Sequence, residues 1–138
     1  MPKPIKGEHR TDYIQRCMAD AEMISKHSDD KERYAVCRSF FVEYEANKIS
    51  FDYDDTLSTD KGKELAKKQI GTLYIISARN DKESMLATAK ELGIPNSRVY
   101  ATGSNKAKIE KIKELEISKH YDNNPDVIKE LGNIGKLF

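Results

Sequence analysis

The stretch ISFDYDDTLSTD holds Asp52, Asp54, Asp55 and Asp60 within nine positions. Ile49 and Phe51 lead into the first of them as a short apolar run, so the carboxylates collect at the end of an expected strand. Like charges repel, and such crowding makes sense where a cation is meant to sit among the carboxylates. Three more positions carry polar chemistry in a similar setting. The apolar run LYIIS ends in Ser77, and the run SKHYD ends in Asp122, followed by Asn123. Lys106 opens the helix just before the Asp122 strand, with Lys108 as the alternative in the same turn. A cation in the first turn of a helix opposes the helix dipole, so its placement there implies a compensating anion. Phosphoryl chemistry needs a nucleophile, a divalent cation and hydrogen-bond donors around the phosphate oxygens. Those residue types are the ones that the strand ends would bring together.

The elements that must position them follow from the rhythm of the sequence. From residue 48 short apolar runs alternate with amphipathic segments: KISFD, DKGKELAKK, TLYIISA, DKESMLATAKELG, SRVYA, NKAKIEKIKELE, SKHYD, PDVIKELG and IGKLF. Strand–helix alternation with such short connections predicts parallel βαβ units, which are wound right-handedly and carry their sites at the carboxyl ends of the strands. The expected fold class is α/β, a small Rossmann-like parallel sheet flanked by helices over residues 47–138. Residues 1–46 differ. TDYIQRCMADAEMIS places apolar residues at 14, 17, 18, 21 and 24, and predicts one helix with Thr11 as its cap. HSDD breaks it, and Ser28 or Asp29 can cap a second helix through Val36, Cys37, Phe40, Phe41 and Tyr44. The expectation is an N-terminal helical hairpin whose apolar stripe must be buried on the second half of the chain or on a partner.

Composition narrows the function classes. The chain has 138 residues, which suits one domain with a small appendage. Lysine plus arginine is 24 and aspartate plus glutamate is 23, a net charge of +1 that favours neither a strong nucleic-acid binder nor an acidic tail. No run approaches the ~18–20 apolar residues of a membrane span. The start MPKPIKGEHRTD is basic and no apolar signal-peptide core follows, so secretion is not expected. Cys17 and Cys37 form no CxxC or Cys/His cluster and are expected to be reduced, in a cytoplasmic protein, with a disulfide between the two helices as the minority reading. A packed or rim role is expected for His120, which shares a strand face with Asp122.

Over residues 48–138 the chain resembles the haloacid dehalogenase (HAD) superfamily of phosphohydrolases. The resemblance rests on FDYDDTL at 51–57, LYIISAR at 73–79, NKAKI at 105–109 and HYDNNPD at 120–126, in the order of that superfamily's four motifs. It implies that Asp52 is a nucleophile forming an aspartyl-phosphate and that Asp54 is the general acid/base. It implies that Thr56 steadies the first loop and belongs with the substrate-binding residues, that Ser77 donates to the phosphate, and that Lys106 offsets the charge of nucleophile and phosphate. Arg79 is a candidate for holding substrate phosphate. The implied cofactor is Mg2+, held by Asp52, the Asp54 carbonyl and a side chain from Asn123 or Asp122. Two departures stand out: Asp55 replaces the usual glycine, and the fourth motif reads DN rather than DD.

Leu57 to Leu73 leaves room for one helix, and Ala78 to Asn105 for one helix and one strand, so no cap domain is expected. Capless members resemble enzymes acting on macromolecular ends or exposed phosphates, so a nucleotide or nucleic-acid end is a candidate substrate. With the Lys/Pro start MPKPIK, Cys17 in the first helix and AVC at 35–37 in the second, residues 1–44 resemble a short helical segment at the start of some tailed-phage head-associated proteins. That resemblance implies a phage-encoded protein, in the host cytoplasm or the virion, whose hairpin docks a phage structural protein or a second copy.

Overall fold

The computed structural model describes residues 1–5 and 8–138. It divides into two compact units, Met1–Ala46 and Asn47–Phe138. The first unit holds α1 (Arg10–Ala19), α2 (Ala21–Lys26) and α3 (Asp30–Ala46). The single helix expected at the start is therefore two. Asp20 leaves helical geometry at φ −67° and ψ 127°, and its carboxylate accepts a 3.1 Å hydrogen bond from the Met23 N–H, capping α2. Thr11, the expected cap, lies inside α1. Asp29 does cap α3, accepting from the Glu32 N–H at 2.9 Å.

Tyr13, Cys17, Met23, Cys37 and Phe41 form the core of this unit. The Arg33 side chain is also buried. It donates to the carbonyls of Met18 and His27, at 3.0 and 2.8 Å, and so fastens the turn before α3. Cys17 and Cys37 are joined in a disulfide, which overturns the reduced expectation. The cysteines sit on the apolar stripes of α1 and α3, and those stripes meet, with the two Cα atoms 5.9 Å apart. The cytoplasmic expectation loses the support that reduced cysteines gave it.

The second unit is a five-stranded parallel sheet in the order β3-β2-β1-β4-β5. The strands are β1 (Lys48–Phe51), β2 (Thr72–Ser77), β3 (Val99–Ala101), β4 (Lys119–Asp122) and β5 (Gly135–Leu137). The helices between them are α4 (Asp60–Lys67), α5 (Glu83–Glu91), α6 (Asn105–Glu114) and α7 (Pro125–Leu131). This is a Rossmann-like α/β arrangement. Between β1 and β2 the chain holds α4, and between β2 and α6 it holds α5 and β3, with no inserted domain among the described residues. Successive strand residues point to opposite faces, and the core divides accordingly. Ile49, Phe51 and Ile75 pack with Ala66 of α4 and with Met85 and Ala89 of α5. Ile76 packs on the other face with Ile112 of α6 and Val127 and Leu131 of α7. Among the described residues no helix is long and apolar enough to cross a membrane.

The order puts β1 at the centre. The chain steps outward to β2 and β3, then crosses to β4 and β5, so the direction of winding reverses between β1 and β4. At such a switch point the loops part and leave a crevice beyond the carboxyl ends of the strands. The turn after β1, Tyr53–Leu57, is wide. The Leu57 N–H donates to the Asp52 carbonyl at 3.1 Å, and the Ser58 N–H to the Tyr53 carbonyl at 2.9 Å. Asp54 within it is extended and Asp55 is left-handed at φ 57°. Asp tolerates that region better than most residues, which accounts for an aspartate where glycine was the expected type. The first turn of α4 presses on this loop: a Cβ on Gly62 would fall on the Thr56 carbonyl oxygen.

Candidate active site

The carboxyl ends of β1, β2 and β4 open on one cavity of about 510 Å3. Its lining includes Asp52, Asp54, Ser77, Arg79, Lys108 and Asn123, together with Asp55 and Asp122. Asp52 follows directly on β1 and keeps the sheet pairing, its N–H donating to the Tyr121 carbonyl at 2.9 Å. It is 6 % exposed. Burial raises its pKa to about 6, the Lys108 cation opposing that rise and the Asp122 charge adding to it. The carboxylate remains mostly ionised at neutral pH.

Behind Asp52 runs a buried polar chain. Lys108 Nζ donates to Asp122 Oδ2 at 2.7 Å and to Asp52 Oδ1 at 3.3 Å. Asp122 also takes His120 Nε2 on Oδ2 at 3.0 Å and the Asn124 N–H on Oδ1 at 3.0 Å. Burial pushes the Asp122 pKa up, but the bonds from His120, Lys108 and Asn124 outweigh it and hold the carboxyl below its usual range. His120 Nδ1 meets Ser50 Oγ at 2.7 Å. That contact follows from strand register, since Ser50 and His120 are paired neighbours on β1 and β4 and share the α6–α7 face.

The rim is built differently. Arg79, just past β2, grips Asp54 with Nε at 2.9 Å from Oδ2 and Nη2 at 2.7 Å from Oδ1. Its Nη1 donates to Ser84 Oγ at 2.9 Å, and the guanidinium lies 5.4 Å from the centre of the Tyr53 ring. Asp54 and Arg79 are both about half exposed, 51 % and 40 %, so this pair is screened and exchangeable where the Lys108 cluster is not. Ser77 is buried at the β2 terminus, and its Oγ accepts from the Arg79 N–H at 3.2 Å. Its hydroxyl hydrogen is thereby left to point elsewhere.

Two expected positions are corrected by this geometry. Lys106 is exposed and outside the cavity lining; the lysine at Asp52 is Lys108. The helical stripe explains the choice: Lys108 and Ile112, four residues apart, form the buried face of α6, whereas Lys106 lies on its outer face. Thr56 is wholly buried and does not line the cavity, so it cannot touch a substrate there. Its carbonyl accepts from Thr59 Oγ1 at 2.6 Å, and its own hydroxyl has no partner among the described residues. For the open pair, Asp122 has donors on both oxygens and is wholly buried, while Asn123 is exposed on the cavity wall. Asn123 is the side chain with an oxygen to spare. His120 and Ser50 were not expected in the site; the signal was present in the shared face of His120 and Asp122 and in a serine between two apolar residues of a buried strand.

Four carboxylates and two cations line the cavity, a surplus of two negative charges. Among the described residues no three His, Cys, Asp or Glu side chains are grouped to hold a metal ion. A smaller oxygen set fits a hard divalent cation: the Asp52 carboxylate, the Asn123 amide oxygen and backbone, with water and phosphate completing the shell. The charge surplus suits a divalent ion. Comparison of the chain with family models, curated proteins and solved structures finds no match.

Proposed function

We propose that residues 47–138 are a magnesium-dependent phosphohydrolase of the HAD type, acting on an accessible phosphomonoester. The observation that carries this reading is Asp52: a buried carboxylate at the end of the central strand, ion-paired to Lys108, facing the cavity that Ser77, Asp54, Arg79 and Asn123 share. Asp52 attacks phosphorus, the bond to the leaving oxygen breaks, and Asp54 in its protonated form supplies a proton to that oxygen. Asp54 then takes a proton from water as the water oxygen attacks the aspartyl-phosphate, releasing orthophosphate and restoring Asp52. Arg79 exchanges Asp54 for phosphate oxygens, and Ser77 donates its hydroxyl to them. Asp52 and Asn123 would hold a magnesium ion, which would offset the charge that nucleophile and phosphate bring together.

A cavity whose loops carry no inserted domain among the described residues suits a large or exposed substrate, such as a nucleotide or nucleic-acid end. The test is a phosphatase screen with Mg2+ over nucleotides, 3′- and 5′-phosphorylated oligonucleotides, sugar phosphates and phosphopeptides. Turnover that Asp52→Asn abolishes supports the reading; equal turnover by that variant refutes it.

A second reading is a virion or assembly protein in which the α/β unit serves as a folded body. It draws on the N-terminal unit, which has its own core and disulfide. There the helical segment acts as a hairpin docking a phage structural protein or a second copy, in the host cytoplasm or the virion.

A further inference from the structure

We propose that His120, held by Ser50, is a positioning residue that shares the charge of Asp122 and so leaves Lys108 free to reach Asp52. The proposal rests on Asp52 being the reacting group. Lys108 stands between two carboxylates and is nearer to Asp122, 2.7 Å against 3.3 Å to Asp52. In a buried site that asymmetry matters, because an ammonium drawn wholly onto one carboxylate no longer covers the other. Asp122 Oδ2 is the oxygen that Lys108 uses, and it is also the oxygen that His120 Nε2 meets. The imidazole therefore competes with the lysine for one acceptor. Oδ1 is held separately by the Asn124 N–H, so Asp122 cannot rotate to escape either donor.

The direction of these bonds is fixed by elementary chemistry. Asp122 as a carboxylate only accepts, so His120 Nε2 must carry the hydrogen. A neutral imidazole then has a bare Nδ1, which accepts the Ser50 hydroxyl hydrogen at 2.7 Å. Burial pushes the His120 pKa down, with Asp122 opposing, consistent with a neutral ring. Ser50, His120 and Asp122 are all wholly buried, so water is not at hand to replace a lost partner. A serine on the central strand thus selects a histidine tautomer on its neighbour, and the tautomer sets how firmly Asp122 holds the lysine.

Three variants of the full chain test this. His120→Leu removes the donor and keeps the bulk, His120→Gln returns an amide N–H near the Nε2 position, and Ser50→Ala frees the tautomer. His120→Leu is expected to lower kcat by about ten- to a hundredfold, the range for losing a hydrogen bond to a charged group, with KM little changed. His120→Gln should recover most of that loss, and Ser50→Ala should lower kcat by about fivefold, the scale of one neutral hydrogen bond. Crystal structures give the second readout: in His120→Leu, Lys108 Nζ moves off Asp52, and in His120→Gln it returns. An unchanged kcat in His120→Leu, a His120→Gln variant no better than it at equal folded fraction, or a lysine still 3.3 Å from Asp52 in His120→Leu overturns the proposal. If His120→Leu does not fold, Ser50→Ala decides by the same two readouts. If the wild-type protein hydrolyses no phosphomonoester, the phosphatase reading fails on its own, and the lysine position still judges the role of His120.

Discussion

Asp52→Asn should make the metal-free protein more stable while removing the carboxylate proposed to attack phosphorus. The size of the gain follows from the position of Asp52. Its folded-state pKa is about 6 against 3.8 for the free side chain, chiefly because the carboxylate is desolvated. A carboxyl with a raised folded pKa contributes stability that is complete below the unfolded pKa and is lost as pH rises through the folded value. The raised pKa therefore costs the fold about 3 kcal/mol at pH 7.5, where the carboxylate is ionised in both states, and about 1 kcal/mol at pH 4.5, where only the folded carboxyl is mostly protonated. Asparagine keeps the shape and never ionises, so the gap between variant and wild type should widen by about 2 kcal/mol across that window. Urea unfolding followed by circular dichroism in a chelator measures it, since the chain has no tryptophan. The window must be read as a difference between the two proteins. His120, with its pKa pushed below 6.5, gives both of them stability that is present above that value and lost as pH falls through its folded pKa. A gap that does not change with pH, or a variant less stable than wild type at pH 7.5, would show that Asp52 is not a desolvated carboxylate.

Lys108→Met strands two buried carboxylates and should cost about 3–5 kcal/mol at neutral pH along with turnover, whereas Lys106→Met, on the exposed face, should stay within about 0.5 kcal/mol. Equal effects in denaturant titrations would reverse the assignment of the two lysines. Asn123→Ala should raise the Mg2+ concentration needed for half-maximal activity, and Asp122→Asn should lower kcat without moving that midpoint; a metal titration of each variant decides which side chain meets the ion. Reducing the Cys17–Cys37 disulfide, which closes a loop of 20 residues, should destabilise the N-terminal helices by about 2–4 kcal/mol and leave turnover intact, as followed by hydrogen exchange and activity on one sample.

The strands and helices of residues 47–138 could be read closely from sequence because local and tertiary signals agree there. Ile49, Phe51, Ile75 and Ile76 are both good strand formers and core residues, and Thr59, Ser104 and Asn124 cap the helices that follow them. Where the two signals part, the reading failed. The apolar period runs on through Ala19-Asp20-Ala21, so nothing in it marks the break that the Asp20 cap makes. Disulfide pairing depends on which helix faces which, and spacing along the chain does not carry that. The lysine was misplaced because the resemblance asks for a lysine opening a helix, while burial asks for the one in line with Ile112. Thr56 was expected at the substrate, but the wide turn rotates it beneath the loop.

Gly62 is not among the residues that line the cavity, yet the loop that carries Asp54 and Asp55 rests against it through the Thr56 carbonyl. Any side chain there has to lift the loop or tilt the first turn of α4, and either movement shifts Asp54 relative to Asp52. In a random mutagenesis screen for lost activity, Gly62 should therefore score with the residues that do chemistry. A map of sensitive positions drawn from such a screen would extend beyond the residues that line the cavity onto a helix outside it.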